Sequence, residues 1–180
     1  MSSLAQPAAA GAPRGVLRAG LTVLVCGCVA AVVGIATALV DGSGASGMLA
    51  SLLVPLLFLA YWGIQAWLVD AGAGMLGGSG RRREFLAASG LAFATWIGYS
   101  LVTLGEAAAA RWIGSGAWPA IALTWLTLPV LLWFLALTVR RVRAVYDIPA
   151  VNAFALALLP FAAVAGALVI LVGAAGVFRG

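Results

Sequence analysis

Residues 20–40 read GLTVLVCGCVAAVVGIATALV, a run of 21 residues without a charge. As a helix rising 1.5 Å per residue, such a run is about 30 Å long, the thickness of bilayer hydrocarbon. Arg14 and Arg18 precede it, an arrangement shared with secretory signal peptides. The run is longer than the apolar part of a typical signal peptide, and four comparable apolar stretches follow it. Residues 16–40 are therefore expected to form a first, uncleaved membrane span.

The composition agrees with a membrane solvent. Hydrophobic residues make up 64% of the 180 and charged residues only 8%, where a soluble domain carries about a quarter. So few charges cannot coat an aqueous surface, and the length fits a single domain. The net charge of +5 is carried entirely by arginine, because the chain has no lysine. The arginines sit at the ends of apolar runs, which is a topology signal rather than a nucleic-acid footprint. Histidine is absent, which removes the commonest general base and metal ligand. Cys26 and Cys28 are two residues apart, so on a helix they point to nearly opposite sides and do not pair.

The remaining apolar stretches place further spans at about 48–69, 85–104, 117–139 and 149–177. Together they predict an all-α, polytopic bundle of five transmembrane helices over residues 16–180, preceded by a short disordered cytoplasmic tail over residues 1–15. Glycine and serine between Asp41 and Gly47, the glycines from Gly72 to Gly80, and Gly114 and Gly116 mark loops. Spans two and four are expected to stop at Asp70 and at Arg140. Pro149 suits the first turn of the last helix. With the N-terminus in the cytoplasm, Arg14, Arg18, Arg81, Arg82, Arg83, Arg140, Arg141 and Arg143 lie inside, and only Arg111 and Arg179 outside. That bias predicts a cytoplasmic N-terminus and an external C-terminus. Trp112 and Trp118 flank the outer end of span four, as interface aromatics do.

Small residues indicate where helices approach one another. Gly27, Ala31, Gly34 and Ala38 line one face of span one, and Gly90, Ala94 and Gly98 one face of span three. Pro55, Pro129 and Pro160 fall inside spans and are expected to kink them. No ionisable residue is expected deep in the membrane, since Asp41, Asp70, Glu84, Glu106 and Asp147 all lie at span ends or in loops. Mid-membrane polarity is limited to neutral side chains, among them Gln65, Thr95, Tyr99, Ser100, Thr124, Thr127 and Asn152. A proton pump needs a buried carboxylate, and an intramembrane protease needs paired aspartates or a serine with its base. Neither set is present, so no catalytic residue, metal site or cofactor is expected. Gln65 reads as an interhelical hydrogen-bonding group, with a pore-lining role as the alternative.

One stretch is chemically suggestive: Gly77, Gly78, Ser79 and Gly80 followed by Arg81, Arg82 and Arg83. Glycines leading into a helix expose N–H groups to anions, and three guanidiniums add to the attraction. It is not a P-loop, because the closing Lys-Ser/Thr and the preceding strand are missing. With Arg140, Arg141 and Arg143 it forms a candidate cytoplasmic collar for anionic lipid headgroups.

The order of these elements resembles the Yip family, five-span membrane proteins named for interaction with Ypt/Rab GTPases. The likeness rests on Leu76 through Gly80 with Arg83, Glu84, Phe85 and Leu86, which resemble that family's loop between spans two and three. Gly98, Tyr99, Ser100 and Leu101 resemble an aromatic-small element of its third span. Trp125 through Trp133, then Arg140 through Tyr146, then Asn152, Ala153 and Phe154 resemble its fourth span, inner loop and fifth span. The resemblance covers roughly residues 48–178. It implies the same fold and topology, but the short N-terminal tail lacks the long region that eukaryotic members link to GTPase binding. The alanine- and arginine-rich, lysine-free composition points to a bacterial member in a cytoplasmic membrane, with no Rab partner expected. The functional expectation is a non-enzymatic adaptor or subunit of an inner-membrane complex, partnered by membrane lipids, other membrane proteins or itself. The alternative is a transport or lipid-handling protein with an arginine collar.

Overall fold

Hydrocarbon offers no water to an unpaired N–H or C=O, so a chain of this composition has to satisfy its backbone within each segment. The computed structural model of the protein describes residues 12–78 and 80–177, and among these the regular structure is entirely helical. The elements are α1 (Ala12–Asp41), α2 (Gly44–Met75), α3 (Arg82–Ser89), a 3₁₀ segment (Gly90–Ala94), α4 (Thr95–Trp112), α5 (Trp118–Tyr146) and α6 (Ala150–Val177). α3, the 3₁₀ segment and α4 follow one another without a loop and act as one rod, Arg82–Trp112. Among the described residues five helices are thus long and apolar enough to cross a membrane.

The helices outrun the apolar stretches that announce them. Of the expected tail, residues 1–11 lie outside the described residues, as do Ser79 and residues 178–180, while residues 12–15 already belong to α1. The loop expected from Asp41 to Gly47 shrinks to Gly42 and Ser43, and α2 begins at Gly44. Two residues suffice because Gly42 (φ 80°) and Gly44 (φ 64°) take the left-handed conformation. The Asp41 carboxylate also accepts the Ser43 N–H at 2.8 Å. At the other end α2 passes Asp70 and closes only at Gly77 (φ 81°). There Gly78 N–H donates to Ala73 C=O and Gly77 N–H to Gly74 C=O, the paired bonds of a Schellman stop.

α5 likewise continues through Arg140, Arg141 and Arg143 to Tyr146, where Asp147 turns left-handed (φ 52°, ψ 47°) and donates its N–H to Arg143 C=O. Arginine ends the apolar stretch, not the helix, since an arginine is a good helix former whose long aliphatic stem is compatible with an apolar neighbourhood. α6 begins at Ala150, so Pro149 stands just before it and supplies the C=O bonded by Ala153 N–H. α2, α5 and α6 run through Pro55, Pro129 and Pro160 without interruption.

Close approaches fix the arrangement. A Cβ on Gly27 would sit 2.7 Å from the Pro55 Cα, and one on Gly34 would sit 2.6 Å from the Ser51 Oγ, so α1 lies antiparallel on α2 with almost no space between backbones. Ala31 and Ala38, on the same face, are buried. A Cβ on Gly90 would fall 2.7–2.8 Å from Ala19, and one on Gly15 would meet Ala87, so α1 runs parallel to the start of the third rod. Gly98 has open space around it, at a groove formed with Pro129 and Trp133 of α5. Ala94, at the end of the 3₁₀ segment, lines that same groove. Cys26 is buried and Cys28 exposed, as their offset on one helix requires.

Two cores result. One, midway along the bundle, centres on Trp62, Phe93 and Phe134, with the last two rings edge-on at 5.7 Å. The other, at the end carrying the arginine clusters, packs Phe85, Val142 and Tyr146 against Ala73 and Leu156.

Candidate lipid-headgroup site

Successive helices run in opposite directions, so the C-terminal ends of α2 and α5 and the N-terminal ends of α1, α3 and α6 share one end of the bundle. A hydrogen-bonded clasp holds three of them together. Asp70, near the end of α2, accepts the Arg81 N–H at 2.9 Å and the Tyr146 O–H at 2.8 Å through the same oxygen. The Arg81 guanidinium donates to the Val145 C=O at 2.9 Å, one of the carbonyls that the end of α5 leaves without a helical partner. Phe85 packs on the Tyr146 ring with centroids 6.2 Å apart. The anion seated at the glycine-rich turn is therefore the protein's own Asp70 carboxylate.

The clasp divides the candidate arginines. Arg81 is engaged with α5, whereas Arg82 and Arg83 are exposed in the first turn of α3. Arg140, Arg141 and Arg143 lie on α5 beside two hollows. One, of about 310 Å³, is lined by Arg140, Arg143, Ala144, Asp147 and Ile148, so an acid faces its two guanidiniums. The other, of about 400 Å³, is lined by Leu137, Arg140, Arg141 and Ala144. These four stand at i, i+3, i+4 and i+7, which is one face of a helix. Leu137 lies a turn nearer the middle of α5 than Arg141, so the hollow has an apolar side chain at its inner end and two guanidiniums next to it, with the small Ala144 outermost. That is the polarity of a phospholipid at the hydrocarbon boundary. Leu137 and Ala144 carry no sequence signal of a site, and neither does the Asp70–Tyr146 bond, because its partners are 76 residues apart.

Gln65, expected to bond between helices, is instead buried with neither amide atom paired, and several hydroxyls serve their own helices. Ser100 donates to Trp96 C=O, Thr95 to Ala92 C=O and Thr127 to Thr124 C=O. Thr124 also donates to the Glu106 carboxylate at 2.7 Å, joining α5 to α4. Trp62 donates its indole N–H to Ser89 at 3.0 Å within the bundle. Among the described residues no three His, Cys, Asp or Glu side chains cluster as metal ligands. Comparison of the chain with protein-family models, with curated proteins and with solved structures finds no match.

Proposed function

We propose that this is a non-enzymatic integral membrane protein that engages anionic lipid headgroups at its basic end, which faces the cytoplasm of a bacterial cell. The observation that carries this reading is the hollow of Leu137, Arg140, Arg141 and Ala144. It offers two guanidiniums to a phosphate and an apolar floor to the start of an acyl chain. Each arginine near an anionic surface contributes about 1 kcal/mol, so two are worth on the order of tenfold or more in affinity.

The test is native mass spectrometry of protein extracted from vesicles mixing phosphatidylglycerol with phosphatidylcholine. R140Q/R141Q should lose most of the bound anionic lipid, and added salt should weaken what remains. R82Q/R83Q, which leaves the hollow intact, should lose less. Equal retention in wild type and R140Q/R141Q overturns the headgroup reading.

A second reading, as adaptor or subunit of a membrane complex, is favoured by the outer half of α6. Residues 162–167 (Ala, Ala, Val, Ala, Gly, Ala) are all exposed, and small side chains of this kind are what closely packed membrane helices use. It agrees with the Yip-type order of spans. Copurification of a stoichiometric membrane partner in mild detergent supports it, and a monomer free of partners at native expression level counts against it.

A further inference from the structure

Independently of the headgroup site, we propose that the cavity between α2, the third rod and α6 binds the ring of a lipid-soluble quinone, held by Tyr61 and Trp96. The cavity measures about 380 Å³ and its walls include Phe58, Tyr61, Phe93, Trp96 and Phe161. Small-molecule sites begin at roughly 300 Å³. Tyr61 stands near the middle of α2, so an occupant enters sideways from the hydrocarbon.

Three features converge on it. First, its walls are aromatic and meet edge to face: Phe58 with Phe93 at 5.8 Å, and Tyr61 with Phe161 at 6.2 Å. Such walls suit a flat ring better than a flexible chain. Second, the backbone is irregular on one side, where Phe93 lies in the 3₁₀ segment Gly90–Ala94. On the other side Phe161 follows the buried Pro160, which has no N–H to donate within the otherwise continuous α6. Irregular backbone at membrane depth persists where it lines a cavity or is buried in protein. Third, the Tyr61 hydroxyl and the Trp96 indole nitrogen are buried with no hydrogen-bond partner, as are both amide atoms of Gln65, one turn along α2 from Tyr61.

Unpaired polar atoms in an apolar interior are costly, and they define the missing chemistry. An indole N–H only donates, so the ligand has to bring an acceptor. A hydrocarbon tail leaves the N–H as it is, and none of the residues lining the cavity is charged, so an anion gains no partner there. A quinone presents a neutral carbonyl at each of two opposite ring edges, matching donors that sit on two different helices. Both donor atoms are occluded behind the apolar lining, so the side chains that carry them shift when the carbonyls arrive.

The experiment uses the full chain in nanodiscs and a photoreactive azido-benzoquinone bearing a short isoprenoid tail. Labelling should map to residues 57–61 and 93–96. It should be competed by the unmodified quinone, and not by the same tail without the ring. Y61F and W96F keep an aromatic ring and remove one donor each. Each should weaken quinone competition about five- to tenfold, the worth of one hydrogen bond, while the melting temperature without quinone stays level or rises. Labelling elsewhere overturns the proposal, as does full competition by the tail alone. So does unchanged quinone affinity in whichever of the two variants folds.

Discussion

Gly90 and Gly98 lie eight residues apart on the same rod, yet adding one methyl group to each should move stability in opposite directions. Gly90 has ordinary helical angles (φ −55°, ψ −37°), so alanine is conformationally acceptable there. Helix propensity alone favours that change by up to about 1 kcal/mol. Against it stands Ala19, whose Cβ, Cα and carbonyl oxygen would lie 2.7–2.8 Å from the new methyl, more than half an ångström inside the ordinary contact range that starts at 3.4 Å. Two of those atoms are backbone, so no side chain can rotate away, and α1 has to move as a body. Overpacking of this kind costs about 1–3 kcal/mol. Gly90→Ala should therefore destabilise by about 1–2 kcal/mol net. At Gly98 nothing lies within 4 Å, and Gly98→Ala should gain up to about 1 kcal/mol. Unfolding by SDS in mixed micelles, followed by loss of helical signal, measures both against wild type. If Gly90→Ala proves as stable as wild type, or if both variants shift equally, α1 does not rest on the third rod at Ala19.

Three further outcomes follow from the same contacts. Gln65 is 1% exposed with both amide atoms unpaired, so Gln65→Met, which keeps the volume, should stabilise the ligand-free protein by about 1–3 kcal/mol. A loss of more than about 1 kcal/mol would mean that the amide is bonded inside the bundle. Asp70→Ala removes the acceptor of two hydrogen bonds and should cost about 2 kcal/mol, whereas Tyr146→Phe removes one and should cost about 1; equal costs in the same denaturation assay would leave the Arg81 bond without weight. A reporter fused after Gly180 and active only in the cytoplasm should stay silent, because five spans starting inside end outside; strong activity there contradicts the topology.

What the sequence makes legible is set by what is local. Hydrophobic runs of about 20 residues depend on nothing distant, so all five spans are visible in composition. Their ends are less so. α2 and α5 continue past Asp70 and Arg140 because a helix already propagating needs a left-handed residue to stop it, and those residues are Gly77 and Asp147. Gly77 sits in an obvious glycine cluster, but Asp147 gives no warning. The face of Gly27 and Gly34 is readable because small residues four to seven apart recur on one side of a helix. Which glycine of the third rod meets a neighbour is not readable, since the 3₁₀ segment rotates Gly98 away from the face that Gly90 presents to α1. At the candidate site the guanidiniums are visible as a charge run. The sorting of Arg81 into a structural bond and of Arg140 and Arg141 into a hollow depends on contacts between α2, α3 and α5 that no local signal encodes.

The two proposed sites differ in how they are built, and the difference follows from solvent. At the basic end water competes for every polar group, so order there needs specific bonds. The Asp70 carboxylate, Tyr146 and Arg81 supply them across α2, α3 and α5. Of the α5 arginines outside this clasp, Arg140 and Arg143 are exposed and Arg141 is half-buried beside the hollow proposed for headgroups. Deeper in the bundle no water competes, and unpaired donors persist because nothing nearby can relieve them. α6 packs on α2 where Leu156 and Leu159 meet Gly72, but residues 162–167 are exposed. The clasp therefore holds one end of the bundle while the wall of the aromatic cavity formed by α6 is supported from one side only. If both proposals hold, a lipid-soluble ring enters the aromatic cavity on its less supported side, and the basic end that would take headgroups stays clasped.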